Sequence, residues 1–461
     1  MKDRDHCTSG VCPETSEKGQ TVSIYVDPDH PLLQLKRALP WETIFTVMSR
    51  HWQAAGKNLD GRPERWWDVS LYGPLVVLMV VKRLHPREME AYLAENVVAR
   101  VFIDRQDDPH PQIRDHSNIA RAYAALGQEG IDELNALVLQ VARAFGFADI
   151  GILSSDTTAQ ELPIGYPNEP GILRGLAQRC GRALSKLKDR GVLGVETALE
   201  QVETILRTVK EHHLFTKGKW AKHQVLARLL TEVGQLLVQT RPLLARLAAS
   251  PDRLTQNAVA KLGAMHAVAK ELIPQIIQWI TTGVVAKGKI LHAGIPQARS
   301  IVRNKAGKKV EFGLPYLLNR LGGGYVFGTM IQGVLDETQM PLEALRGYRA
   351  LFGAEVTPEL VVYDRGGGVK STMDQLEQEG VKQVGVQPKG KQPWRVAEAV
   401  RDVVRSERGK TEGIIGTLKS DTYKFNKPKE RLWQTLEMAG PRSILSFNLN
   451  KLMRDVVRAA K

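Results

Sequence analysis

The chain has 461 residues and carries 64 Lys and Arg against 50 Asp and Glu, a formal net charge of +14. Apolar residues make up 43% and charged residues 25%, which excludes a fibre or a wholly disordered chain and suggests about two to four globular domains. The longest apolar run, 71–81, is broken by Gly73 and Pro74 and falls short of the roughly 18 residues of a membrane helix.

No membrane partner is therefore expected. The first 20 residues are polar and do not read as a signal peptide, and three cysteines cannot build a disulfide framework, so the expectation is a cytoplasmic protein. The excess charge is uneven. Residues 1–30 carry a net −3, whereas residues 401–461 hold 14 basic against 7 acidic side chains. A basic end is the electrostatic footprint of a polyanion partner, with a solubility role as the plain alternative.

In chain order, residues 1–30 lack apolar periodicity and read as a disordered leader. Cys7 and Cys12 fall there, and without a second pair they are weak zinc ligands. Residues 31–147 read as a helical domain in which Trp52, Trp66 and Trp67 interleave with basic residues. Helices are predicted over 71–84 and 86–93, then a helix-turn-helix piece over 115–127. In that piece Asp115 or Ser117 caps the helix, Ile119, Tyr123 and Leu126 form the buried stripe, and Gly127 ends it. Such a helix can enter a major groove through Ser117, Asn118 and Arg121; an ordinary helical domain is an equal reading.

Residues 148–461 change character. A buried strand over 147–158 carries Asp156 at its polar end. Residues 173–286 are again helical, with apolar residues every three or four positions and Pro242 as an expected break. Lys217, Lys219, Lys222 and Arg228 surround Trp220 in a basic stretch that reads either as a phosphate contact or as a solvated face. Strands are predicted over 289–293, 309–317 and 324–331. A helix over 341–352 precedes a strand over 359–364 that ends in Asp364 and the run Arg365-Gly-Gly-Gly368. A helix over 373–379, a strand over 381–386 and helices over 395–418, 428–438 and 444–460 complete the chain.

Two strands thus end in an aspartate, and a late helix carries Glu412 among basic residues. Carboxylates are hard oxygen ligands, suited to Mg²⁺ or Mn²⁺. Arg408, Glu412 and Lys419 lie on one helical face, because i, i+4 and i+11 nearly eclipse at about 100° per residue. Gly413 and Gly416 cost roughly 1 kcal/mol each in a helix, which points to close approach by another helix or by DNA. Singly, each acid has an ordinary role: Glu412 as a surface ion-pair partner, Asp156 as a turn cap, Asp364 as the start of a glycine turn. The strand, strand, helix order beside a basic end favours a shared site.

Three stretches, Ser155-Asp-Thr-Thr-Ala159, Val361-Val-Tyr-Asp364 and Arg408-Gly-Lys-Thr-Glu412 through Lys419, resemble the DDE transposases of bacterial insertion sequences. The last matches the family's R-x3-E-x6-K signature, although Arg405 stands where a Tyr is frequent. Leu84 to Glu90 and Asp115 to Arg121 are similar to the helical DNA-binding domain that precedes the catalytic part in such enzymes, and residues 289–313 to one less-classified subgroup.

The resemblance implies an α/β, ribonuclease-H-like catalytic domain at 148–461, interrupted by the helical insertion 173–286 and preceded by an all-α helix-turn-helix-type domain. It implies Asp156, Asp364 and Glu412 as catalytic residues holding two Mg²⁺ (or Mn²⁺) ions. Cleavage at transposon ends and transfer of the 3′-hydroxyl into target DNA would follow, with Arg408, Lys419 and Arg405 on the DNA backbone. The implied partners are double-stranded DNA and further copies of the chain, as a homodimer or synaptic oligomer, at the nucleoid. Rival readings are a metal-dependent nuclease or resolvase, and a DNA-binding regulator with an inactive catalytic domain.

Overall fold

The computed structural model describes residues 25–57, 59, 67–106, 116–305, 308–333, 335–430 and 432–461, with the backbone of 14–15 and 21–22. Most of the leader, Cys7, Cys12, Trp66, Asp115 and Gly307 lie outside the described residues.

Strands β1 (Glu14–Thr15) and β2 (Thr21–Val22) pair antiparallel. Six helices follow: α1 (Pro31–Ala38), α2 (Trp41–Ala54), α3 (Val69–Lys82), α4 (Pro86–Glu95), α5 (Val97–Phe102) and α6 (His116–Ala144). Then come β3 (Asp149–Glu161), α7 (Glu169–Asp189), α8 (Glu196–Leu214), α9 (Lys219–Leu247) and α10 (Arg253–Thr282). After β4 (Arg299–Lys305), β5 (Lys308–Gly322) and β6 (Val326–Met330), helix and strand alternate: α11 (Met340–Phe352), β7 (Leu360–Tyr363), α12 (Lys370–Gln378) and β8 (Gln383–Val386). Helices α13 (Glu398–Lys419), α14 (Trp433–Leu436) and α15 (Ala439–Ala459) close the chain. The class is mixed α/β with one six-stranded sheet, ordered β4-β5-β3-β7-β8 with β6 paired to β5. Among the described residues no helix is long and apolar enough to cross a membrane.

The chain divides into two compact units. The first comprises residues 1–160, 316–330 and 336–461, so it holds both the N-terminal helices and most of the sheet. Its organising helix is α15, whose apolar residues Ile444, Leu445, Phe447, Leu449 and Leu452 are all buried. Gly440 lets α15 sit close to β5, since a methyl there would collide with the Tyr316 hydroxyl. A buried polar network ties three elements together. The Asn448 amide donates to Asn135 Oδ1 at 2.7 Å and to the Val326 carbonyl at 2.6 Å, and its Oδ1 accepts from the Val326 amide. With every member satisfied, such a network specifies one arrangement of α6, α15 and β6. Val26, assigned to the leader by the sequence pattern, is buried with Leu33 and Val101. Gly127 interrupts α6 with φ +64°, as its expected C-terminal role requires, but the helix resumes beyond it.

Asp132 on α6 is the unusual acid of this unit. Burial pushes its carboxyl up to about 7, against a hydrogen bond from Gln128. A folded-state value above the unfolded one means stability is fully present below about pH 4 and is lost as the pH rises through 7. Asp132→Asn is expected to flatten that slope and to raise stability at pH 8 by roughly 2–4 kcal/mol. Urea unfolding of both proteins at pH 5 and pH 8 measures this; parallel losses in the two would exclude it.

The second unit comprises residues 161–315 and 331–335 and is dominated by α7 to α10. Its core is read directly from helical spacing: Leu173, Leu176, Cys180, Leu184 and Leu187 from α7 meet Val202, Ile205 and Val209 from α8. Leu229, Val233 and Leu236 from α9 and Leu262, Ala269 and Leu272 from α10 complete it. Two expectations are corrected here. Helix α9 runs through Pro242, because losing one amide donor costs less than unpacking the buried Thr240 and Leu243 on either side. Residues 289–293 are not a strand. Ile290 and Ala293 are buried in the helical core, and the Ile290 amide donates to Gln275 Oε1 on α10 at 2.9 Å, so the segment is an apolar strap. In the first unit, among the described residues of the stretch predicted helical over 428–438, only Trp433–Leu436 is α-helical.

Candidate active site at the strand ends

The sheet places the two aspartates. Strands β3 and β7 are parallel, with Leu153 opposite Val361 and Ser154 opposite Val362. Continued one residue past the end of β7, this register sets Asp364 level with Asp156, which lies inside β3 and not, as expected from the sequence, at its end, because β3 runs on to Glu161. The neighbouring Tyr363 hydroxyl senses both. Burial pushes the Tyr363 phenol well above its usual range, and the charges of Asp364 and Asp156 push it further, with a smaller contribution from Glu337. Asp364 Oδ1 also accepts from the Gly366 amide at 2.7 Å, so the carboxylate is fixed by the turn it begins.

Helix α13 is pinned over this edge. Ser154 shares a face of β3 with Asp156, two residues apart. Its hydroxyl lies 2.7 Å from the Thr411 hydroxyl on α13, and both side chains are buried. Five residues before Glu412, the buried Glu407 pairs with the equally buried Arg320 of β5. Glu407 also takes Lys410 at 2.6 Å. Burial opposes its ionised form, but Lys410 and Arg320 outweigh it and hold the carboxyl below the usual range. Helix α13 therefore carries two different acids: Glu407 locked inward as a strut, and Glu412 outward with its side chain 65% exposed.

Glu412 follows Thr411 directly and faces Arg408, whose Nη2 lies 3.7 Å from Glu412 Oε1. Arg408 Nη1 also reaches Gln387 Oε1, at 3.5 Å, in the loop after β8. Lys419 ends α13, and the exposed Arg405 pairs with Asp402 one turn back at 2.7 Å. The glycines of this helix are informative. A methyl at Gly409, Gly413 or Gly416 would meet nothing within 4 Å, so among the described residues no other helix uses their smallness.

The sequence reasoning missed Glu337 and Lys389. A methyl at Gly366 would collide with Glu337 Oε2 and lie 2.8 Å from Asp364 Oδ1, so the two carboxylates border the same small space. Lys389 Nζ donates to the Gly366 carbonyl at 2.6 Å from the loop after β8. Neither stands in a strand or a motif. The only sequence signal for Glu337 is an acid just before a predicted helix, which ordinarily reads as a cap.

Ser117, Asn118 and Arg121 are not brought to these strand ends. They lie on the first turns of α6, where Arg121 donates to Asn118 Oδ1 at 3.2 Å and the adjacent His116 meets Arg87 and Glu90 of α4.

Among the described residues, no three His, Cys, Asp or Glu side chains are gathered closely enough to hold a metal ion. The chemistry of the donors nevertheless suits a hard divalent cation: Asp156 lies on β3 and Asp364 directly follows the neighbouring β7, with Glu337 beside Asp364. No family model, curated protein or solved structure matches the chain.

Proposed function

We propose that this chain is a DNA transposase of the DDE type, with a ribonuclease-H-like sheet as its catalytic unit. The observation that carries the reading is the parallel pairing of β3, which bears Asp156, with β7, which Asp364 directly follows, together with a helix that is pinned to β3 by Ser154 and Thr411 and bears Glu412. The sheet order supports it: β3 is central, with β5 and then both β4 and β6 on one side and β7 and then β8 on the other.

Asp156, Asp364 and Glu412 would hold two Mg²⁺ ions, which when bound supply positive charge to the attacking and leaving oxygens of a phosphodiester. Asp364 is oriented for this by the Gly366 amide. Arg408, now facing Glu412, would turn to a DNA phosphate and release that carboxylate, while Lys419 holds the backbone further along the face. The bare glycine stripe beside Glu412 leaves room for the duplex. The protein would act on DNA at the nucleoid, as a homodimer or synaptic oligomer that brings two ends together.

The test is strand transfer. Purified protein with Mg²⁺ is given a pre-cut oligonucleotide carrying the terminal sequence that flanks the gene, plus a target plasmid. Covalent joining of the 3′ end to the plasmid is expected. Plasmid nicking without joining would replace this reading by hydrolysis alone, and neither product would leave a DNA-binding regulator.

The glycine face gives a second check. Gly413→Ala and Gly416→Ala are each expected to stabilise the protein by about 1 kcal/mol, since both sites are helical and open. Both are expected to weaken end-DNA binding several-fold. A gain in melting temperature with unaltered DNA binding would show that DNA does not use this face.

A further inference from the structure

The turn between α8 and α9, in the helical unit, gathers apolar and basic side chains at its surface. Leu214, Phe215 and Trp220 are 61%, 73% and 77% exposed there. Lys217, Lys219 and Lys222 are exposed beside them, and among the described residues none has a carboxylate partner within 4.0 Å.

Behind the turn lies a cavity of about 540 Å³, within the range of small-ligand sites. Its walls include His212, Lys219, Lys222, His223 and Trp279. The His223 and Trp279 rings lie 5.1 Å apart and form an aromatic wall. His212 Nδ1 is buried in this region without a hydrogen-bond partner, an unmet polar atom that a ligand can satisfy. The one acid in the wall, Glu169, is neutralised by its ion pair with Lys289.

We infer that this tip and cavity bind single-stranded DNA, with an unpaired base against the Trp279–His223 wall, Trp220 as a second stacking surface, and Lys217, Lys219 and Lys222 on the phosphates. Exposed aromatics interleaved with unpaired cations are the combination that unpaired nucleic acid requires. An anionic membrane also attracts lysines and aromatics, but it has no use for an aromatic-walled cavity with an unsatisfied ring nitrogen. The inference rests on the transposase reading for the source of the strand: cleavage at an element's end is what would present unpaired nucleotides.

The test uses the full chain and a 20-nucleotide oligo-dT, with binding followed by fluorescence anisotropy across a salt series. Trp220→Ala is expected to weaken binding about tenfold. The triple variant Lys217→Ala, Lys219→Ala, Lys222→Ala is expected to reduce the slope of log affinity against log salt by about 2. All four positions are exposed, and an unchanged circular-dichroism melt confirms that the variants fold. Wild-type affinity and slope in both variants would overturn the inference. So would binding to phosphatidylserine vesicles with none to the oligonucleotide. Failed strand transfer with these oligonucleotide results intact sinks the transposase reading and leaves this binding site standing.

Discussion

Asp156→Asn and Asp364→Asn are each expected to reduce Mg²⁺-dependent DNA cleavage by about 10²–10³-fold or more, with little change in melting temperature. Asparagine keeps the shape and an accepting oxygen, so at Asp364 the bond from the Gly366 amide survives. What is lost is one negative donor of a pair set level by the β3–β7 register. Glu412→Gln carries the same expectation, and its 65% exposure means that the substitution leaves packing untouched. Glu337→Gln is the discriminating companion. If Glu412→Gln stays active while Glu337→Gln fails, the third carboxylate of the site is Glu337, which already borders Asp364. Gel assays of plasmid nicking measure all four. Full activity in both aspartate variants would remove the site altogether.

Glu407→Ala is expected to be destabilised by about 3–5 kcal/mol, because it strands the buried, uncompensated charge of Arg320, and Arg320→Ala by less, because Lys410 still pairs with Glu407. Arg320 Nε is already buried without a partner, so the guanidinium has no spare acceptor to fall back on. Replacing both by apolar residues of similar size is expected to recover most of the loss. Glu407 has a lowered folded-state value, so its contribution is present above the ordinary carboxylate range and is lost as the pH falls through the folded value. Denaturant titration of the two single variants and the double variant at neutral pH measures the coupling. Additive losses would show that the pair is not a strut. The cleavage assay separates this pair from Glu412: a loss of stability at Glu407, a loss of chemistry at Glu412.

The two acids of α13 also show where sequence reading stops. Helical spacing made the face of Arg408, Glu412 and Lys419 legible, because 3.6-residue periodicity is a local property. It did not reveal that Glu407 turns inward to Arg320, 87 residues away in the chain. Asp156 and Asp364 were legible as acids following short apolar runs, but Asp156 was expected at the end of its strand and instead falls inside β3, which continues to Glu161, while Asp364 directly follows β7. That they share one level depends on register, which is set by the pairing itself. The four long helices of the second unit were legible in outline, but the apolar run at 289–293 was not. A buried strap and a buried strand have the same composition, and only the partner, here the helical core, distinguishes them. Glu337 had no legible signal, since its position beside Asp364 comes from the packing of a glycine turn.

The placement of the helical unit within the chain has a consequence for synthesis. Strands β3 and β5 are neighbours in the sheet, yet about 150 residues of mostly helical chain separate them. At roughly 5–20 residues per second, a ribosome needs about 8–30 s to make that stretch. Throughout this interval β3, 13 residues long and with seven of them buried in the folded chain, has neither of its sheet neighbours. Local contacts let α7 to α10 form quickly, whereas the sheet must wait for distant partners. The order of emergence therefore makes β3 the segment most exposed to wrong pairing in the nascent chain, and the strand that bears Asp156 the one most dependent on being shielded while the helices fold.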